Sequence, residues 1–204
     1  MFLIEQNCFL SGYYVFIKQS QIFINLNFSR IILPMHKEKR SRSGYPLILF
    51  GYHHGGHEFI KTLKQIGKRY LVIDYDPSVI DTLEHQEVPY VYGDATDVEL
   101  LDEIGIENTK LVISTFSDFE VTQQLVRNVS RINPSAVIIC HANNRDEAMK
   151  LYEEGSTYVM IPHYVGSEKI SAFIKKSGLK KSEFNQFRDK HLTYLQNHAL
   201  HSLD

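Results

Sequence analysis

The stretch "LILFGYHHGGHEF", residues 47–59, holds the residue types best suited to chemistry in this chain. Gly51, Gly55 and Gly56 follow an apolar run and precede a helical pattern, the order in which a phosphate-binding turn is built. Gly51 can make the tight turn, and Gly56 can let the next helix pack against the strand. The N-terminus of that helix offers N–H groups and the positive end of a dipole to a phosphate. His53 stands where the middle glycine of such a motif lets a pyrophosphate approach the backbone, and a side chain there crowds that route. Two outcomes follow: a turn that still admits AMP, ADP or ATP, or a pocket that no longer binds. His53, His54 and His57 also raise a zinc site, since two or three imidazoles can hold that ion. The glycine frame already accounts for the turn, so histidines facing solvent or phosphate are the expectation, with no metal.

A carboxylate lies where this chemistry needs one. Asp74 ends "YLVID", eighteen residues after Gly56. From a strand end it can accept hydrogen bonds from both hydroxyls of a ribose, and it would repel a 2′-phosphate. Helix capping does not explain it, because Asp76, followed by Pro77, already supplies the cap. Gly93-Asp94-Ala95 ends the next apolar run and is small and polar enough to edge an adenine pocket.

These residues need elements to position them. Six continuous apolar runs, "LILFG" (47–51), "YLVID" (70–74), "YVYG" (90–93), "LVIST" (111–115), "AVIIC" (136–140) and "YVMI" (158–161), read as parallel strands covered on both faces. Helical patterns alternate with them: Phe59, Leu63 and Ile66 in one, Val121, Leu125, Val129 and Ile132 in another. Asp118 can cap the second of these. Gly67, Gly105 and Gly155 follow periodic runs, where a left-handed residue ends a helix. Strand–helix alternation with right-handed crossovers predicts an α/β, Rossmann-like, doubly wound parallel sheet of about six strands over residues 46–166. Ligands of such sheets bind beyond the carboxyl ends of the strands, where strand order reverses.

Composition narrows the partners. With 24 acidic and 22 basic residues, the net charge of −2 does not suit a nucleic-acid binder. Cys8 and Cys140 are far apart in apolar settings, so a reducing compartment is the default. Up to Phe28 the only charged residues are Glu5 and Lys18. This apolar segment, 1–35, has no uncharged run of the ~18 residues that a spanning helix needs, and it lacks the features of a secretory signal. It reads either as a helix packed on the domain or as the end of a membrane segment. The basic stretch "HKEKRSRSG" then forms a linker over 36–45, on the side that the positive-inside tendency makes cytoplasmic.

The segments "LILFGYHHGGHEFIKTL", "YLVIDYDP", "VYGDATDVELLDEIGI", "LVISTFSDFEV" and "NNRDEAMKLYEEGSTYVMIP" together resemble the nucleotide-binding half of the regulator-of-potassium-conductance domain, also called the Trk-type N-terminal domain. The resemblance implies a domain at the cytoplasmic face of the cell membrane that binds NAD(H) or an adenine mononucleotide. It further implies that the domain gates a potassium channel, transporter or cation/proton antiporter. It assigns ligand roles to Gly51, Gly56, Asp74, Asp94 and Thr115. With their neighbours, the candidate cofactor-binding set is Gly51, Tyr52, His53, His54, Gly56, Asp74, Tyr75, Asp94, Ala95 and Thr115. "SGYYVFIKQSQIFINL" and the basic linker resemble the tail of the last membrane helix in Kef-type antiporters, which makes a membrane antiporter subunit the expected partner.

Beyond Pro162, Ser167 can cap "SEKISAFIKKSG", with Ile170, Phe173 and Ile174 as an apolar stripe. "SEFNQFRDKHLTYLQ" carries Phe184, Phe187, His191, Leu192 and Leu195 at helical spacing. These stripes, in a helical tail over 167–204, most simply cover the domain's own surface; contact in a homodimer is the alternative implied by the resemblance.

Two other functions compete. A small NAD-dependent oxidoreductase would need a proton donor beside the nicotinamide and a substrate lobe. The one Tyr-x-x-x-Lys spacing, Tyr14 to Lys18, lies upstream of the nucleotide motif, so a non-enzymatic role is expected. An interaction module with a non-binding pocket is the second, and His53 keeps it open.

Overall fold

The computed structural model describes residues 44–53 and 55–199, with no side-chain description for 197–199. The apolar segment 1–35, most of the basic linker and His54 therefore lie outside the described residues. The strands are β1 (Leu47–Phe50), β2 (Tyr70–Asp74), β3 (Tyr90–Tyr92), β4 (Leu111–Ser114), β5 (Val137–His141) and β6 (Tyr158–Met160). All five neighbouring pairs are parallel, in the order β3-β2-β1-β4-β5-β6. Order reverses between β1 and β4, which pair from Leu47 with Leu111 to Phe50 with Ser114. The predicted doubly wound sheet of six strands is present; β2 matches its apolar run and the other five differ from theirs by a residue at one or both ends.

Alternation of side chains across β1 divides the core in two. Leu47 and Leu49 face α1 (Gly56–Ile66) and α2 (Pro77–His85), joining Ile60, Leu63, Val79, Ile80 and Leu83. Ile48 and Phe50 face α3 (Val98–Glu103), α4 (Phe119–Ile132) and α5 (Arg145–Glu153), joining Leu101, Leu125, Val129 and Leu151. A strand apolar on both faces is what a sheet covered on both sides demands. Ile66, expected in the buried stripe of α1, is 45% exposed; Ile60 and Leu63 form that stripe.

The helix starts follow capping chemistry. The Asp76 side chain accepts from Ser78 N–H ahead of Pro77, and that of Asp118 accepts from Val121 N–H. Gly67 ends α1 in the left-handed conformation. The long connection between β3 and β4 passes through α3 and a short 3₁₀ turn, and Asn133 fixes it from the C-terminus of α4. Its amide nitrogen donates to the carbonyls of Ile106 (2.9 Å) and Thr109 (2.8 Å), all at a buried position. This sets where β4 enters the sheet, and so where Thr115 leaves it.

The tail differs from its prediction. α6 (Pro162–Ser177) starts at Pro162, with Ile161 at its N-cap position, so Ser167 is interior and caps nothing. A proline at the first helical position has a preset φ and no N–H to lose, which suits it to an earlier start. α7 (Lys181–Ala199) follows α6. Phe173 stacks on Phe187, 4.7 Å between centroids, and meets the edge of Phe184 at 4.9 Å. The two stripes meet at these three phenylalanines. Ile170, Ile174, Leu192 and Leu195 remain between 42 and 48% exposed. Tyr194 of α7 reaches the body of the domain, its hydroxyl donating to Glu58 in the first turn of α1. Among the described residues, no helix is long and apolar enough to cross a membrane.

Replacing Asn133 by alanine takes the side-chain donor from the Thr109 carbonyl and one of two donors from the Ile106 carbonyl, which keeps Thr109 N–H. A buried carbonyl left unpaired costs about 1–3 kcal/mol, so urea unfolding of Asn133→Ala should show a stability loss in that range, at unchanged m-value.

Candidate functional site

The switch point opens a cleft above the carboxyl ends of β1, β2 and β4. Gly51, His53, Asp74, Tyr75, Asp76, Thr115, Phe116, Ser117, Asp118 and Val121 line it. Sterics shape its floor. Gly51 has φ +87°, and a Cβ there would meet the Thr115 hydroxyl at 2.7 Å. At Gly56 a Cβ would lie 2.2 Å from the Gly51 carbonyl oxygen, a backbone atom that cannot step aside. Both glycines thus do what the motif requires of its first and third: one turns, the other lets α1 start against β1. Thr115, 4% exposed, completes the joint, its hydroxyl 3.1 Å from the Gly51 carbonyl it donates to and 3.3 Å from that of His53.

Asp74 is the charged centre. It is 5% exposed, and its carboxylate holds two loops at once. Oδ2 accepts from Tyr52 N–H at 2.9 Å in the glycine turn, and Oδ1 from Asp76 N–H at 3.0 Å at the start of α2. A carboxylate offers about four lone-pair positions, so two remain for a ligand in the cleft. Asp76, beside it, is held below the usual carboxylate range by the Ser78 hydroxyl and N–H, with a smaller push from nearby His53.

The N–H groups of the turn are more occupied than the motif suggests. Gly56 N–H donates to the His53 carbonyl at 3.1 Å, His57 N–H to that of Tyr52 at 2.9 Å, and Glu58 N–H to that of Gly55 at 3.1 Å. These bonds close the first turn of α1 on the chain before it. His53 N–H and Gly55 N–H are outside this set. His53 itself is exposed and lines the cleft.

The structure therefore gathers Gly51, His53, Asp74, Tyr75 and Thr115 around one cleft, with Gly56 packed beneath it. Tyr52 contributes its N–H, while its ring packs toward α1 and α2 and its hydroxyl donates to Gln86 at 3.1 Å. Asp94 and Ala95 lie beyond β3. Asp94 accepts from the N–H and hydroxyl of Thr96, both at 2.8 Å, closing a turn, and Ala95 is buried in the core. Neither lines this cleft. His54 is outside the described residues, and among those described no group of three His, Cys, Asp or Glu side chains is placed to hold a metal. Sequence reasoning missed Phe116, Ser117 and Val121 and took Asp76 and Asp118 as caps only. The pairing of β1 with β4 brings "TFSD" beside the glycine turn, and the reversal of strand order was the signal available for that.

The glycine turn, the carboxylate at the end of β2 and the all-parallel sheet define a Rossmann-like domain with the site architecture of nucleotide binders. Within that class the chain belongs to the TrkA-N domain family, whose model matches residues 47–162. It is 32% identical over 109 residues to the glutathione-regulated potassium-efflux system protein KefC of Klebsiella pneumoniae (strain 342). That match covers 53% of this chain and 18% of the relative, so the chain spans only a small part of that relative's length. The TrkA-N domain of the inner membrane protein ybaL from Escherichia coli superposes with TM-score 0.59 at 22% identity, covering 63% of this chain and 96% of that one. The Kef C-terminal domain of Shewanella denitrificans, solved in AMP-bound form, does so with TM-score 0.54 at 21% identity, covering 77% and 96%. These two likenesses concern the fold.

Cys140, fully buried on β5, has its thiol pushed up to about 11 by burial. Reactivity belongs to the thiolate. In a Cys8→Ser background, folded protein at pH 8 should therefore leave Cys140 unmodified by oxidised glutathione or a disulfide reagent, and urea should expose it to full reaction. A second expectation concerns the floor of the cleft. Gly56→Ala should lower stability by about 1–3 kcal/mol, the usual cost of overpacking, read as a fall in melting temperature of roughly 2–4 °C per kcal/mol.

Proposed function

We propose that the domain binds an adenine nucleotide or NAD(H) in the cleft between β1 and β4, and that occupancy regulates potassium or other cation transport by a membrane cation/proton antiporter. The observation that carries this reading is Asp74: a buried carboxylate with two lone-pair positions left, beside a glycine turn at the switch point. Ribose hydroxyls have the donors to fill those positions. Membership of the TrkA-N family supports the reading, as do the potassium-efflux relative and the AMP-bound structural neighbour. The role is regulatory, not catalytic, and it is exercised at the cytoplasmic face of the cell membrane, with a homodimer as the working assembly. Gating then requires that the nucleotide bind two arrangements of the assembly with different affinity, since equal affinity shifts nothing.

The test is ligand-dependent melting of the full chain with AMP, NAD(H) and NADP(H). A ligand at a hundred times its dissociation constant stabilises by about 2.7 kcal/mol, a rise of several degrees. AMP or NAD(H) should raise the midpoint; NADP(H), whose 2′-phosphate meets Asp74, should not. Asp74→Asn turns an acceptor into a donor facing an N–H, so it should melt lower and lose the ligand-induced rise. No rise with any adenine ligand leaves the interaction module with a non-binding pocket as the reading. Hydride transfer from bound NADH to added carbonyl compounds would restore the oxidoreductase.

A further inference from the structure

We propose that the corner between α6 and α7 is a docking surface for an anionic lipid bilayer, with Leu179 entering the interface and Lys175, Lys176, Lys180 and Lys181 meeting lipid phosphates around it. The inference deepens the membrane location proposed above by naming a lipid contact for the domain. It does not depend on what the cleft holds.

Charge sets the corner apart. From Lys169 to Ser182 the chain carries five lysines and no acidic residue, within a protein of net charge −2. α6 ends at Ser177 and α7 begins at Lys181, so four of the five flank the connection. All four are exposed, and none forms an ion pair among the described residues. Gly178 makes the turn with φ +60° and ψ −138°, a conformation open to glycine and strained for other residues. Beside it Leu179 is 95% exposed, more than any other large hydrophobic residue described. Phe173 meets Phe184 and Phe187 across the corner, and Leu179 stays outside that contact.

Folding accounts for only part of this. Lys175 and Lys176 lie in the last turn of α6, where the negative end of the helix dipole favours cations. Lys180 and Lys181 stand at the start of α7, where the positive end disfavours them. A leucine left in water is unfavourable as well. An anionic bilayer reverses both. Its surface potential attracts lysines by a factor of about five each. Leu179 can be buried at the acyl boundary while the lysine stems reach the headgroups. A nucleic acid would answer the charge and leave Leu179 in water. Screening over about 8 Å at physiological salt lets this local charge act within a net acidic chain.

The chain contains no tryptophan, so Leu179→Trp in the full chain places one emission probe at the corner. Vesicles of phosphatidylcholine and phosphatidylglycerol in equal parts should move its emission to shorter wavelength; phosphatidylcholine alone should not. In that background, Lys175→Gln, Lys176→Gln, Lys180→Gln and Lys181→Gln together should weaken binding by about a hundred-fold or more, read from the lipid titration. Glutamine at four other exposed lysines, Lys61, Lys64, Lys68 and Lys110, should leave it within about five-fold. No shift on anionic vesicles, an equal shift on neutral ones, or equal weakening by both sets overturns the inference. A shift with duplex DNA that vesicles fail to produce, or with soluble glycerol phosphate alone, overturns it in favour of a nucleic-acid or simple anion site. All the altered side chains are exposed, so melting curves should match the wild type and show that each variant is folded. Failure at the corner leaves ligand-dependent melting, and with it the reading of the cleft, unaffected.

Discussion

The Asp74 carboxylate is the interaction on which this architecture turns. A buried ionised group is costly unless its lone pairs are filled by donors. The chain fills them with two backbone N–H groups from different loops, one before α1 and one before α2. That satisfaction draws the glycine turn and the start of α2 together over the end of β2. The cleft exists because both loops answer to one side chain. The same carboxylate lines the cleft and has acceptor capacity beyond these two bonds, so the fold's requirement and the site's chemistry meet in one group.

Around that charge the site is built by exclusion of volume. Gly56 approaches the Gly51 carbonyl more closely than any side chain would permit, and the Thr115 hydroxyl closes the gap from β4. Asn133, far along the chain, fixes the connection that delivers Thr115 to this place. Placement at the switch point is thus a product of packing and buried hydrogen bonds, and the hydrogen bonds within the turn only finish it.

Much of this was legible in the residues. Continuous apolar runs marked the strands because a sheet covered on both faces has no polar side to show. Asp76 with Pro77, and Asp118, announced helix starts because capping is local chemistry. Asp74 stood out by lying at a strand end where no cap was needed. What could not be read depends on distance in three dimensions. Phe116, Ser117 and Val121 join the cleft only because β4 pairs with β1. The use of three N–H groups inside the glycine turn depends on its closed shape, which spacing does not encode. The tail misled for a related reason: its stripes have helical periodicity whether they face the sheet's helices or each other, and periodicity names a face without naming what it meets.

The closed turn has a consequence for how a signal could leave this site. Hydrogen bonds joining Tyr52, His53 and Gly55 to residues 56–58, the Thr115 hydroxyl and the Asp74 clamp already tie those residues down. A ligand arriving there meets a preorganised socket and gives up little of its affinity to loop ordering. By the same token, those residues have little disorder left to lose. Information about occupancy must then travel as a change in electric field or as a movement of whole elements, and α1, whose first turn holds Glu58 against Tyr194 of α7, is the lever nearest to hand.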